Sequence, residues 1–596
     1  MPESVGVSVP KVTINGAAVT GVKADALLDV RVVLETAAAA AATLRFHDPY
    51  FELLEGSFAK IGVKLQVAFP DSSGKDVIVF KGKIAAIAAE QGAADRHELV
   101  ITAYDASQQL SHGLTPTTYT EMTAADIVSK IAKRNSLTAK TSITGKKMTY
   151  FLQLDSDHAT LDELARRNGA EWWVDDTTLN FTKRTLKAPI KLKWGTTLQR
   201  FSARFSGAAR VDDVTVRGWD PATQKAVTGK ATRSAVTSTK VGLKLKMTDT
   251  RATQAKALKA SSTVTDMPVG AADEAKALAE AMQADLAAGE LRVQGEAIGQ
   301  PKIAAGSTIQ IEGAGTQLAG TFVVNRVEHI FGVGRPLLSR FEGGRHGGSE
   351  LADHIVSAQR GSVRNRRQFA IGTVTNVKDP DKVGRIKVKL PTISDKDDSA
   401  WARVVSPGAG KSRGLHLMPD VGDEVLVAFI GGDPRNPVIL GGIWSKKFAP
   451  PTPEPVKGDK VGERSLVMAS GAKLVFTENT DKKKAVVALK HAEPETNLQF
   501  DKDGVKINAK KGTKIKLVVG DASVELASDG TITLKGGAIT IKATKNLTLQ
   551  GQKVSIKGST GAVMDGGGSK VDLSPSGAKV QASGMVTVKG AMIKLN

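Results

Sequence analysis

Towards the end of the chain, apolar residues recur in pairs separated by a single position: Val524/Leu526, Ile532/Leu534, Ile539/Ile541, Leu547/Leu549, Val554/Ile556, Val571/Leu573, Val586/Val588 and Ile593/Leu595. Most neighbouring pairs lie seven to nine positions apart, with less regular units at Val563 and Val580, and Gly, Ser, Thr, Lys, Asn and Asp fill the intervals. A period of this kind marks a repeat architecture. Two-residue alternation makes each unit a strand of about three residues with one apolar face. A strand that short is stable only when stacked on its neighbours. No Phe, Tyr or Trp follows Phe500, so the shared core is narrow and aliphatic. A β-sandwich of this length would use aromatic core residues, and a single-chain β-helix would use wider coils. Three chains wound into a triangular prism fit the period best. The expected trimer core is Leu526, Ile532, Leu534, Ile539, Ile541, Leu547, Leu549, Val554, Ile556 and Leu573.

Further upstream the pattern mixes strands with a few helices. Val63–Phe69, Val77–Phe80 and Glu98–Ala103 alternate as strands do. Thr123–Asn135 reads as an amphipathic helix with Ile127, Val128 and Ile131 on one face and Thr123 or Asp126 near its start. Thr160 and Glu163 have capping-box spacing, and the helix they open would bury Leu161, Leu164 and Ala165 and stop at Gly169. A third helix is expected from about Asp273 to Ala288, carrying Leu278, Met282 and Leu286, with Gly289 as its stop. Ser357–Gln368 is polar and basic and reads as a linker. Phe369–Trp444 shows closely spaced strands between Gly, Pro and Asp turns, the pattern of a small β-barrel. Four prolines between Ala449 and Pro455 enforce a short, stiff spacer.

These elements give a mainly β, multidomain chain: an α+β hub with barrel-like subdomains over 1–355, a linker over 356–368, an OB-fold barrel over 369–446, a Pro-rich spacer over 447–460 and a trimeric β-helix over 461–596. A length of 596 residues agrees with several domains. There is no cysteine, which excludes disulfides and thiolate metal sites. No apolar run is long enough for a membrane-spanning helix. MPESVGVSVPKV lacks the basic and apolar regions of a secretory signal. The expectation is therefore assembly in the cytoplasm and delivery or release without a signal peptide. The net charge of +21 raises nucleic acid or an anionic membrane as partners, and Val456–Asn596 holds 23 Lys and Arg against 13 Asp and Glu. Its lysines occur singly between short apolar residues with no aromatic to stack on bases, so no nucleic-acid partner is expected.

The barrel segment carries a resemblance. Ile371–Asn376, Asp379–Val388, Ser399–Val404, Pro419–Val427 and Gly432–Gly441 resemble, in order, the OB-fold of VgrG-type spike proteins of contractile injection systems. The motif residues are Asp379, Gly384, Arg385, Trp401, Pro419, Gly422, Gly432, Asp433 and Pro434. Leu164–Val174, Val216–Pro221 and Gly299–His329 resemble the hub module of the same family, also found in phage late-control proteins. The resemblance implies a homotrimer whose hub closes an inner tube and meets baseplate proteins, and whose needle is driven through a target envelope by sheath contraction. It further implies a PAAR-repeat tip protein, any loaded effectors and transient contact with a target membrane. The last repeats, at Val588, Met592, Ile593, Lys594, Leu595 and Asn596, would offer the tip partner an apolar end. No lysozyme domain stands between barrel and needle. The expected carrier is an extracellular phage-tail-like particle, with a type VI secretion system or a phage tail as alternatives.

No catalytic constellation emerges, and neither a cofactor nor a metal is expected. Gly408-Ala409-Gly410-Lys411-Ser412 resembles the end of a P-loop, but the first glycine would fall at Val405 and no helix follows. Asp155, Asp157 and His158 precede a helix and read as capping residues. Asp379-Pro380-Asp381 reads as a turn, without the later calcium ligands. A carbohydrate- or cell-wall-degrading enzyme on a β-helix is the competing function. It would need paired carboxylates on one face, and acids after Asp503 are sparse.

Overall fold

The computed structural model describes residues 9–594 except 92–96, 115, 146, 208–209, 221–222, 234–242, 246–250, 252, 255–259, 266–268, 345–367, 395, 452–455, 458, 478–485 and 492–494. The chain divides into two compact units, Met1–Trp444 and Ser445–Asn596. Most of the expected linker and the prolines of the spacer after Pro451 lie outside the described residues.

The first unit is built around one long antiparallel sheet with two cores. Leu27–Glu35, Ala41–His47, His97–Tyr104, Asp76–Gln91, Lys64–Pro70 and Lys11–Ile14 follow one another across its first half. Alternation places Val30, Val32, Leu44, Phe46, Val67, Phe69 and Ile101 in one buried cluster. The second half orders Gly320–Gly332, Leu338–Gly344, Leu291–Ile298 and Leu198–Phe205, around Leu291, Val293, Ile309, Phe322 and Phe341. The halves join where Gly320–Gly332 pairs with Leu27–Glu35, in the register Val327↔Leu34, His329↔Val32 and Phe331↔Val30.

A helical module sits beside this sheet. Its first helix, Ala124–Arg134, starts at Thr123 through a capping box in which Thr123 and Asp126 satisfy each other's backbone amides. Ile127, Val128 and Ile131 are fully buried. The second helix, Asp157–Asn168, begins a turn earlier than Thr160 and Glu163 predict. Ser156 is its N-cap, accepting from the Ala159 amide at 3.2 Å. Thr160 donates its hydroxyl back to the Ser156 carbonyl, and Glu163 is turned towards arginines. Gly169 ends the helix in the left-handed conformation at φ 59°, as anticipated. The third helix, Ala272–Gly289, continues through Gly289 to a cap at Glu290. It packs Ala275, Leu278 and Ala279 on Val214 and Val216 of a neighbouring sheet.

One turn links the hub's parts. Thr36 N–H donates to the Asn325 carbonyl, Ala37 N–H to the Trp172 carbonyl and Ala40 N–H to the Asp105 carboxylate. The Ala37 carbonyl in turn lies 3.0 Å from His158 Nε2.

Residues Phe369–Gly442 close a five-stranded barrel in the order Phe369–Asn376, Arg385–Lys389, Ala402–Val404, Pro437–Gly442 and Glu424–Phe429, the last returning to the first. Val374, Ile386, Val388, Ala402, Val425, Val427 and Ile439 fill it. Leu152 of the helical module joins this core, with Tyr150 and Leu154 packed against it.

The second unit is a series of antiparallel meanders. Glu463–Val467, Lys473–Thr477, Val486–Lys490, Asn497–Asp501 and Gly504–Asn508 form one sheet. Ile515–Val519, Ala522–Leu526 and Ile532–Lys535 form a second, and Ala562–Asp565, Ser569–Ser574 and Gly577–Ala582 a third. These strands run to four to six residues and pair within the chain, longer than the three-residue units read from the period. Gly and Asp turns let them fold back as hairpins. Residues 536–561 and 583–594 carry no assigned strand in the single chain.

Candidate interaction surfaces

The barrel's motif residues are mostly turn-builders. The Asp379 carboxylate accepts from the amides of Asp381, Val383 and Arg385 and from the Arg385 guanidinium at 2.7 Å. The hydrogen-bonding guanidinium holds the Asp379 carboxyl well below the usual carboxylate range. The Asp-Pro-Asp segment is thus a clamped turn, with Gly384 at φ 77° completing it. Trp401 is flanked by two cations, with Lys387 Nζ 5.3 Å and the Arg385 guanidinium carbon 5.9 Å from its ring. Gly422 lies at φ 98° and Gly432 at φ 70°, conformations that favour glycine. Pro419 leads into the turn in which the Asp420 amide donates to Asp423.

Asp433 and Pro434 position a residue that the sequence reading passed over. Arg435 Nε donates to Asp433 at 2.8 Å, while its Nη1 reaches Glu163 Oε1 of the helical module at 2.9 Å. The guanidinium lies 5.3 Å from the Phe151 ring centroid. Arg167 shares the same Glu163 oxygen at 3.0 Å. Burial disfavours charge on both arginines. In Arg435, hydrogen bonding to Asp433 and attraction to Glu163 outweigh it and raise the pKa, whereas Arg167, beside Arg435, is lowered. Asp433 and Arg435 stand two apart in one turn, and that spacing is the only sequence signal of the seam.

Asp157 lies in the first helical turn and binds the Arg134 guanidinium and Asn135 Nδ2. Among the described residues, no group of three or more His, Asp or Glu is placed to hold a metal ion. Gly408–Ser412 is a loop closed by hydrogen bonds between Gly410 and Arg413.

The repeat leaves a series of large apolar side chains exposed. In the second sheet, Ile515 faces Leu526, Leu517 faces Val524, and Val524 and Leu526 face Leu534 and Ile532. These side chains share one face, and Lys516, Glu525 and Lys535 lie on the other. In the third sheet, Met564, Val571 and Val580 align across the strands. In the single chain the ten residues predicted as trimer core are all exposed, from Leu526 at 41% to Ile532 at 67%. Of the tip residues, Val588, Met592, Ile593 and Lys594 are exposed, while Leu595 and Asn596 lie outside the described residues.

The first unit thus joins a closed five-stranded barrel to the long sheet and its helical module, and the second is a meandering repeat with an open apolar face. Residues 370–444 match the family model for the type VI secretion system/phage-baseplate injector OB domain. Residues 7–332 match the model for the Alg8 N-terminal domain, more than half of the chain, and the protein belongs to that family. The type VI secretion system spike protein VgrG1a of Pseudomonas aeruginosa is 27% identical over 260 residues, 35% of this chain and 39% of that protein. VgrG1b of the same organism is 32% identical over 129 residues, 21% of this chain and 17% of its own length. The matched region thus spans well under half of these relatives. A solved Francisella PdpA–VgrG complex aligns at 9% identity with a TM-score of 0.49, covering 84% of this chain and 87% of that one.

Proposed function

We propose that the protein is the homotrimeric structural spike of a contractile, phage-tail-like injection system. The observation that carries this reading is the open apolar face of the repeat. Single-chain hairpins leave Ile515, Leu517, Val524, Leu526, Ile532 and Leu534 on one unpartnered face. Burying an aliphatic side chain contributes about 1.5–3 kcal/mol. The ten predicted core positions are still 41–67% exposed, so covering them contributes roughly 8–17 kcal/mol per chain before ordering costs, enough for a three-chain association. Two further copies, each contributing the same face, supply that cover at the repeat's narrow aliphatic period.

In this reading the hub closes an inner tube against baseplate proteins, and the barrel transmits axial load into the needle. Shared strands pair the backbone and leave few free edges, so the needle resists local unfolding as sheath contraction drives it through an envelope. Val588, Met592 and Ile593 offer an apolar platform for a PAAR-type tip. The similarity to proteins named as type VI spikes supports the class. We favour an extracellular particle as carrier, assembled in the cytoplasm, with a type VI system as the alternative. The test is paired substitution. Ile541→Asp with Leu549→Asp should convert the assembly to single chains, whereas Thr533→Asp, on the opposite face, should leave it intact. Equal tolerance of both would refute the reading.

A further inference from the structure

The chain holds two Asn-Gly steps, Asn15-Gly16 and Asn168-Gly169, and the fold treats them differently. Asn168 ends the helix Asp157–Asn168. Its Nδ2 donates to the Leu164 carbonyl at 2.7 Å, and the Gly169 N–H donates to the Ala165 carbonyl. A Cβ on Gly169 would lie 3.5 Å from the Ala281 side chain, so packing also closes this step. Asn15-Gly16 instead forms the tip of the hairpin between Lys11–Ile14 and Ala17–Ala18, at φ 52° and 82°. Two left-handed residues are what a two-residue hairpin turn needs. Both are exposed, and nothing stands within 4 Å of a Cβ placed on Gly16. Among the described residues, neither the Asn15 side chain nor the Gly16 N–H makes a hydrogen bond. The returning strand is two residues long, paired as Thr13↔Ala18 and Ile14↔Ala17, so the turn opens at little cost.

We infer that Asn15 is a site of spontaneous covalent modification, at which the main chain rearranges to isoaspartate. The Gly16 nitrogen attacks the carbonyl carbon of the Asn15 side chain. The new C–N bond closes a succinimide ring, and the side-chain nitrogen leaves as ammonia, taking up the proton that Gly16 gives up. Water then opens the ring at either carbonyl. One opening gives aspartate, and the other routes the main chain through the former side chain. No electron changes hands, and water is the only co-reactant. Glycine suits the step because it brings no Cβ against the attack and its φ turns freely as the ring forms. Isoaspartate lengthens the main chain by a methylene and adds a carboxylate, and a turn built on two left-handed α-residues cannot hold it. Ala17–Ala18 therefore comes away from its partner. Val12 and Ile14, buried in the first core and paired with Val67 and Leu65, keep the other strand in place. The change is confined to the last strand of the long sheet.

The test ages the full chain, folded and in denaturant, in buffer made with heavy-oxygen water, and maps both samples by digestion and mass spectrometry. In the folded chain Asn15 should take up heavy oxygen and yield two products of equal mass, aspartate and isoaspartate, which chromatography separates. Asn168 should convert about tenfold or more slowly, because its helix cap must open first. In denaturant the two sites should react alike. Asn15→Gln, whose longer side chain closes a ring poorly, should remove the signal at this position. Hydrogen exchange on the aged chain should show the Ala17 and Val19 amides losing protection while those of Lys64–Pro70 keep theirs. The inference is overturned if folding slows Asn15 as much as Asn168, or if the difference between the sites persists in denaturant. It is likewise overturned if aspartate is the only product, which marks direct hydrolysis of the amide without the ring.

Discussion

Glu163 and Arg435 lie 272 residues apart and meet at 2.9 Å, tying the helical module of the hub to the last turn of the barrel. Leu152 reinforces this seam by entering the barrel core. The two parts of the first unit are therefore packed together and do not hang on their linker.

Removing Arg435 leaves Glu163 with Arg167 alone and takes the guanidinium away from the largely buried Asp433. Arg435→Ala should lower stability by about 2–3 kcal/mol, less than for a fully enclosed pair because some solvent reaches it. Glu163→Gln should cost less, since its amide oxygen still accepts one hydrogen bond. A double-mutant cycle read by chemical denaturation checks this, and additive losses would show that the contact is uncoupled.

His329 lies wholly buried on the strand that joins the two halves of the sheet, with Nδ1 2.9 Å from the Ser339 hydroxyl and Nε2 2.9 Å from the Ile303 carbonyl. Burial pulls its pKa down to about 4 from 6.5. The folded state thus binds fewer protons than the unfolded chain between these values, and stability falls as pH drops from about 6.5 towards 4. The loss approaches ~3 kcal/mol. His329→Gln should flatten that slope in melting curves.

Asp105 works in the opposite sense. Its carboxylate accepts from the amides of Ala40 and Ser107 and from the Ser107 hydroxyl, yet burial pushes its pKa up to about 6 from 3.8. The ionised form is the disfavoured one, so stability falls as pH rises from about 4 through 6 and stays lower above it. Asp105→Asn keeps an oxygen for the three donors. It should melt higher than the wild type at pH ~8 and lose that advantage by pH ~4.

Gly229 packs against the helix Ala272–Gly289, and a Cβ there would lie 2.1 Å from the Ala275 carbonyl carbon. Gly229→Ala must push the helix away, costing about 1–3 kcal/mol. Hydrogen exchange should show the helix amides losing protection before those of the central sheet.

What the sequence disclosed followed the range of its interactions. The start of the first helix near Thr123, the stop at Gly169 and the barrel's turn motifs are local patterns whose geometry is set by nearby residues. The second helix start was misplaced because Ser156 and Thr160 both carry cap chemistry, and Ser156, one turn earlier, takes the position. The pairing of Leu27–Glu35 with Gly320–Gly332 left no trace, since alternation marks a strand but not its partner. Arg435 stood within a recognised motif, yet its contact with Glu163 depends on folding two distant segments together. The repeat's apolar face was legible because period and alternation repeat the same information many times.

The central claim is that the open face of the repeat is covered by two further copies. Sedimentation equilibrium of the full chain at micromolar concentration tests it most directly. The expected mass is three times 62.6 kDa, unchanged on dilution and in mild detergent. A single-chain mass under the same conditions would contradict the claim.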